Sequence, residues 1–85
     1  MLIGKVIGSV WATQKESGME NIKLLIVQPI DSKGHPLIAA DRIGAGVGEQ
    51  VLVTRGTPAH TVWGEQNAPI DAAIVGIVDS LEINE

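Results

Sequence analysis

The chain has no cysteine, so neither disulfides nor thiolate metal ligands contribute to its stability or chemistry. A cysteine-free composition fits a cytosolic protein. Phenylalanine and tyrosine are also absent, and Trp11 and Trp63 are the two aromatic residues. The apolar content therefore falls to Ile, Val, Leu and Ala. The β-branched members of that set favour strands, because their stiff side chains pack well on a pleated surface. No apolar run approaches the ~20 residues needed to span a bilayer. Gly4, Lys5 and Gly8 break up the N-terminal apolar segment, unlike the core of a secretory leader. Positive charge is sparse: Lys5, Lys15, Lys23, Lys33, Arg42 and Arg55 are scattered along a chain with a formal net charge of −4. Nucleic-acid binders usually present a clustered basic face, so this balance argues against such a partner. The expectation is a soluble protein that stays where it is made, with no membrane and no nucleic acid among its partners.

Eighty-five residues make one domain, 1–85. A chain of this size buries only about 60–65% of its unfolded surface, which leaves a thin core. Small chains often supplement such a core with disulfides, metals or partner subunits. With disulfides excluded, oligomerisation is the common route that remains. The ten glycines point to bulges, tight corners and close packing.

Alternation of apolar residues marks out strands. Leu2 to Thr13 places Gly4, Val6, Gly8, Val10 and Ala12 on one face, with Ile3, Lys5, Ile7, Ser9 and Trp11 on the other. Two glycines on the same face suggest a bend or bulge in a curled sheet. Ile22 to Gln28 is a second strand, ended or edged by Pro29. Asp31-Ser32-Lys33-Gly34 is a turn signal, and a short third strand follows from Pro36 to Asp41. Val51 to Thr54 is a fourth, Ala72 to Asp79 a fifth, and Leu81 to Glu85 a tail able to extend it or pair with a neighbour. Thr57 to Ala68, between Pro58 and Pro69, has room for one helical turn. Five short strands with brief connections predict an all-β fold, a small closed barrel. No segment has the length and periodicity of a crossover helix, which argues against a doubly wound fold.

The densest feature is Gly44-Ala45-Gly46-Val47-Gly48, leading directly into Val51-Leu52-Val53-Thr54. Alternate glycines allow positive φ and close approach of another segment. A dinucleotide loop follows a strand and opens a helix. Here the glycines open a strand at a different spacing, so a structural or interface turn is the simpler account. His35 and His60 lie in separate turn-like stretches, and no H-x-H or H-x-x-x-H pair points to a metal. Asp31, Asp41, Asp71 and Asp79 are spread over turns and strand ends; Asp41-Arg42 suits ion pairing, and Asp71 a turn-stabilising bond. Ser9, Ser17, Ser32 and Ser80 lack the setting of a nucleophile elbow. No catalytic set, cofactor site or metal site emerges. Trp11 and Trp63 suit stacking on single-stranded nucleic acid or, more simply, covering a barrel end or sitting in a subunit interface. A small oligonucleotide- or ligand-binding barrel is therefore the alternative to a structural role.

Four stretches, GKVIGSVWATQK (4–15), LLIVQP (24–29), AADRIGAGVGEQVLVTRG (39–56) and APIDAAIVGIVD (68–79), together resemble the bacterial microcompartment vertex family, the EutN/CcmL family. The resemblance covers nearly the whole chain. It implies a five-stranded oligonucleotide-binding-like barrel with a short extra helical turn, assembled as a ring pentamer at the five-fold vertices of a polyhedral shell in the bacterial cytoplasm. It further implies hexameric shell proteins as partners and no catalysis. Gly44, Gly46, Gly48 and Glu49 are assigned by resemblance to a conformationally demanding loop near subunit contacts. Gly46→Val is expected to be costly if that glycine has positive φ. Thr57 and His60 fall in the loop that the resemblance places near the five-fold axis. His60 stands where relatives often carry arginine, and imidazole changes charge near neutral pH. Trp63 is a local feature with no assigned role.

Overall fold

The period-two alternation is realised in five strands, as the computed structural model shows for residues 1–11, 22–30, 34–56, 58–59 and 70–79. They are β1 (Leu2–Val10), β2 (Lys23–Pro29), β3 (Leu37–Asp41), β4 (Gln50–Arg55) and β5 (Ala72–Val78). Their order in the sheet is β1-β2-β3-β5-β4, closed into a barrel by pairing of β4 with β1. Every pairing is antiparallel except β3 with β5, which is parallel and short, matching Ala40 with Ala73 and Asp41 with Ile74. Closure gives each strand two neighbours and so shortens the edge open to another chain among the described residues, although β5 meets β3 only at Ala73 and Ile74.

The expected strands are all present, with small corrections at their ends. β1 stops at Val10, with Trp11 already outside the ladder. β3 starts at Leu37 rather than Pro36, whose ring nitrogen has no hydrogen to donate. β2 runs through to Pro29, which pairs with Gly4 as its last residue. The expected bend in β1 is a register shift between Val6 and Gly8, and a second shift lies in the β4–β5 ladder, where Leu52 and Val53 face Gly76 and Ile74 and Val75 of β5 is the extra residue. Such irregularities sharpen local twist and help a short sheet curl shut. Of the segment expected to hold a helical turn, only Pro58 and Ala59 are among the described residues, and both have helical backbone. The Asp31–Lys33 part of the turn and the 81–85 tail lie outside them.

Alternate residues of the strands fill the barrel: Val6, Leu25, Val27, Ala39, Val51, Val53, Ala72 and Ile74 form one buried cluster. The described core is aliphatic throughout, so the interior depends on tight approach of the strands. Gly4 shows how tight: a β-carbon there meets the Val27 side chain and comes within 2.9 Å of the Gln28 carbonyl oxygen. A smaller cluster on the outside joins Ala40 and Ile70, flanked by Ile22 and Leu24.

Candidate subunit interface

The glycine loop between β3 and β4 is built around one carboxylate. Asp41 is the last residue of β3, and its side chain is fully buried. Its Oδ1 accepts a hydrogen bond from the Ile43 N–H at 2.9 Å, and its Oδ2 accepts one from the Ala45 N–H at 2.9 Å. The Gly44 N–H lies 3.3 and 3.2 Å from the two oxygens. An aspartate whose side chain binds the backbone just ahead of it forces the chain to turn. Lys23, opposite Asp41 in the β2–β3 register, closes the arrangement. Its ammonium lies 3.5 Å from Asp41 Oδ2 and donates to the Ala45 carbonyl at 2.8 Å. Three N–H groups and a cation thus compensate a charge removed from water, as a buried carboxylate requires.

This wrapping drives Ala45 into the barrel, where it is fully buried in the main core cluster. The loop then returns along β1. Gly48 N–H donates to the Val6 carbonyl at 2.8 Å, and Val6 N–H donates to the Glu49 carbonyl at 2.9 Å. Glu49 braces the turn from both ends. Its Oε1 accepts from Gly46 N–H at 2.7 Å, while its own N–H donates to the Gly46 carbonyl at 3.1 Å. The expected loop residues therefore come together, but not all for the expected reason. Gly44 (φ 103°) and Gly48 (φ 96°) occupy the left-handed region; Gly46 does not, so the condition for a costly Gly46→Val change is not met.

The pinned loop turns apolar side chains outward. Ile43 is 52% exposed and Val47 68% exposed. Ile7 on β1 and Ile38 on β3 are also about half exposed, and Trp11 is almost wholly so. Exposed aliphatics beside a rigid turn are suited to a protein surface rather than to catalysis. At another part of the barrel surface, a shallow open depression is lined by Leu2, Pro29, Pro36, Leu37, His35 and Arg55. Arg55 leads through Gly56 (φ 75°), whose N–H donates to the Asp71 carbonyl at 2.7 Å, towards Thr57 and His60. Thr57 and His60 themselves lie outside the described residues, as does Trp63.

Sequence reasoning missed the role of Asp41, which it treated only as an ion-pairing residue. The available signal was an aspartate at a strand end followed within three residues by glycine, the pattern of a side-chain-closed turn. It also missed Ala45 as the buried point of the loop, since an alanine between glycines carries no distinguishing pattern.

The family model described as ethanolamine utilisation protein EutN/carboxysome matches residues 1–79. The chain belongs to the EutN/CcmL family. Among its relatives, the carboxysome shell vertex protein CcmL of Gloeobacter violaceus is 43% identical over 88 aligned positions, covering 99% of this chain and 88% of the relative. The bacterial microcompartment shell vertex protein EutN of Escherichia coli (strain K12) is 36% identical, with 95% and 90% covered. Solved structures of the EutN/CcmL type superpose over almost the entire chain. CcmL of Gloeobacter violaceus gives a TM-score of 0.86 at 43% identity, covering 99% of this chain and 91% of that one. GrpN of Rhodospirillum rubrum, a pentameric microcompartment shell protein, gives 0.88 at 39% identity, covering 99% and 100%.

Proposed function

We propose that this chain is a structural shell-vertex protein. Five copies close into a ring, and the ring fills a five-fold point in the shell of a microcompartment in the bacterial cytoplasm. The observation that carries this reading is the end-to-end likeness to pentameric GrpN at 39% identity and a TM-score of 0.88. Related vertex proteins cover the same length with 36–43% identity. The role is one of shape and contact, and no reaction is assigned to the chain.

The physics of the assembly is simple. Hexagonal tiles alone make a flat sheet, and closing it into a polyhedron requires five-fold points. A ring uses a heterologous interface, in which one patch of each subunit meets a different patch of the next and the rotation closes. A single 85-residue domain, 1–85, suffices when its surface carries two such patches. The glycine loop, with Gly44, Gly46, Gly48 and Glu49 holding its shape, is our candidate for one of them. Its exposed Ile43 and Val47 supply apolar area of the kind that the centre of an interface buries. Thr57 and His60 are the candidates for the loop at the five-fold axis. Hexameric shell proteins are the partners around the ring's rim.

Exposed Trp11 is the feature that most favours an oligonucleotide-binding barrel instead. That reading stays second, because the described cations Lys5, Lys23, Arg42 and Arg55 are spread over three strands and the β3–β4 loop, and Lys23 is engaged with Asp41. The vertex role is tested by combining the purified protein with hexameric shell proteins of the same kind of compartment and imaging the products. Closed polyhedral shells that form only when this chain is present are expected. Equal closure with and without it contradicts the proposal.

A further inference from the structure

The contacts around Asp41 have a consequence for assembly. The carboxylate reaches three successive backbone N–H groups of the loop, and Lys23 reaches both that carboxylate and the carbonyl of Ala45. All of these groups belong to one subunit. Ala45, drawn into the core by them, anchors the segment whose neighbours Ile43 and Val47 face outward. The loop therefore has a fixed shape before any neighbour arrives.

We infer that Asp41, with Lys23 as its latch, is the positioning residue that preorganises the ring-forming surface in the single subunit. The inference rests on the vertex reading above and goes further, because it names the side chains that set how easily the ring forms. A surface shaped in advance loses less conformational freedom on association, so it binds more tightly than the same surface on a loose loop. Neither Asp41 nor Lys23 needs to touch the neighbouring subunit. They act through the loop backbone.

Asp41→Asn is the direct perturbation. It keeps the size of the side chain but replaces one oxygen with an N–H₂ group, whichever way the amide is turned. If that group takes the Oδ2 position, it faces the Ala45 N–H and the Lys23 ammonium, donor against donor. If it takes the Oδ1 position, the Ile43 N–H loses its acceptor. A hydrogen bond to a charged group is worth ~1.5–3 kcal/mol, roughly a ten- to hundred-fold change in a local opening equilibrium. Lys23→Met is the milder second variant. It leaves the carboxylate in place and removes only the latch, on a side chain that is half exposed. Lys23→Arg keeps the charge and is expected to restore most of the wild-type behaviour.

The test combines two readouts on the full-length protein. Amide hydrogen exchange is followed at Ile43, Gly44 and Ala45, with Val27 and Val51 in the barrel ladder as internal reference. The concentration at which rings dissociate is measured by sedimentation or native mass spectrometry. The expected result for Asp41→Asn is loop exchange accelerated ~10–100-fold relative to the barrel amides. The ring midpoint is expected to move to at least tenfold higher concentration, with Lys23→Met shifting both in the same direction by less. Loop exchange that tracks the barrel amides overturns the positioning role, because a merely structural residue loosens both alike. Faster loop exchange with an unmoved ring midpoint overturns the link to assembly and leaves the vertex reading standing. A wild-type protein that forms no ring overturns the vertex reading and, with it, the link to assembly; the loop-holding role is still decided by exchange.

Discussion

Replacing Gly4 with alanine is expected to be the most damaging of the glycine-to-alanine changes in the strands. The β-carbon added there meets the Val27 side chain and lies 2.9 Å from the Gln28 carbonyl oxygen and 3.3 Å from its carbon. Val27 is fully buried, and Gln28 is held in the β1–β2 ladder opposite Lys5, so neither can swing aside. The relief available is to part β1 from β2. Because β1 also pairs with β4 through Leu2 to Lys5, that movement disturbs both sides of the barrel. Overpacking of this kind costs ~1–3 kcal/mol. The gain from a less flexible unfolded chain returns about 0.4–1 kcal/mol. A net loss of about 1.3 kcal/mol is a sizeable part of the ~4–13 kcal/mol that a domain of this size commands. At ~4–8 °C per kcal/mol, the melting temperature is expected to fall by roughly 5–10 °C. The assay is thermal unfolding followed by circular dichroism at one fixed protein concentration, since ring formation makes stability concentration-dependent. Gly46→Ala is the matched control: the nearest atom to its added β-carbon is 3.7 Å away and its φ is not positive, so its loss is expected to stay within about 1 kcal/mol. The reasoning is refuted if Gly4→Ala melts with the wild type, or if Gly46→Ala falls as far as Gly4→Ala.

Three further outcomes are expected. Gly48→Ala meets no atom within 4 Å but keeps a φ of +96°, so urea unfolding is expected to show a loss of about 1–2 kcal/mol from backbone strain alone. Leu25→Ala removes a side chain only 2% exposed in the barrel core and is expected to cost ~2–5 kcal/mol, with marked loss of folded protein near 37 °C. Val47→Asp alters a 68% exposed position and is expected to leave subunit unfolding within about 0.5 kcal/mol of wild type while weakening the ring at least tenfold on dilution, a contrast that sedimentation measures directly.

The sheet was readable in the sequence because one face of each strand is buried. Val6, Leu25 with Val27, and Val51 with Val53 alternate with outward residues, and this period-two signal places strands to within a residue or two. Strand ends were less readable. Whether Trp11 or Asp79 stays in the ladder depends on a partner strand being present at that level, which no local pattern reports. The same holds for barrel order. The short parallel contact of β3 with β5 joins residues more than thirty positions apart and is set by closure of the sheet rather than by either strand's composition. In the glycine loop, left-handed backbone occurs at Gly44 and Gly48, a freedom that alternate glycines allow but that does not by itself say which of them use it. Gly46 departs because its neighbours already complete the turn: the Glu49 carboxylate takes its N–H, and its carbonyl takes the N–H of Glu49. Asp41 was legible only as a charge. Its partner Lys23 lies across a strand register that must be known before the pair can be seen. Relatives, rather than residue chemistry, carry the step from a barrel to a vertex, since nothing in a single barrel specifies the number five.

The most direct test of the central claim is the native mass of the purified protein, measured across a range of dilution. The account predicts one dominant species of five chains, which dissociates to intact folded subunits as the concentration falls. A stable monomer throughout the range, or a ring of another size, contradicts it.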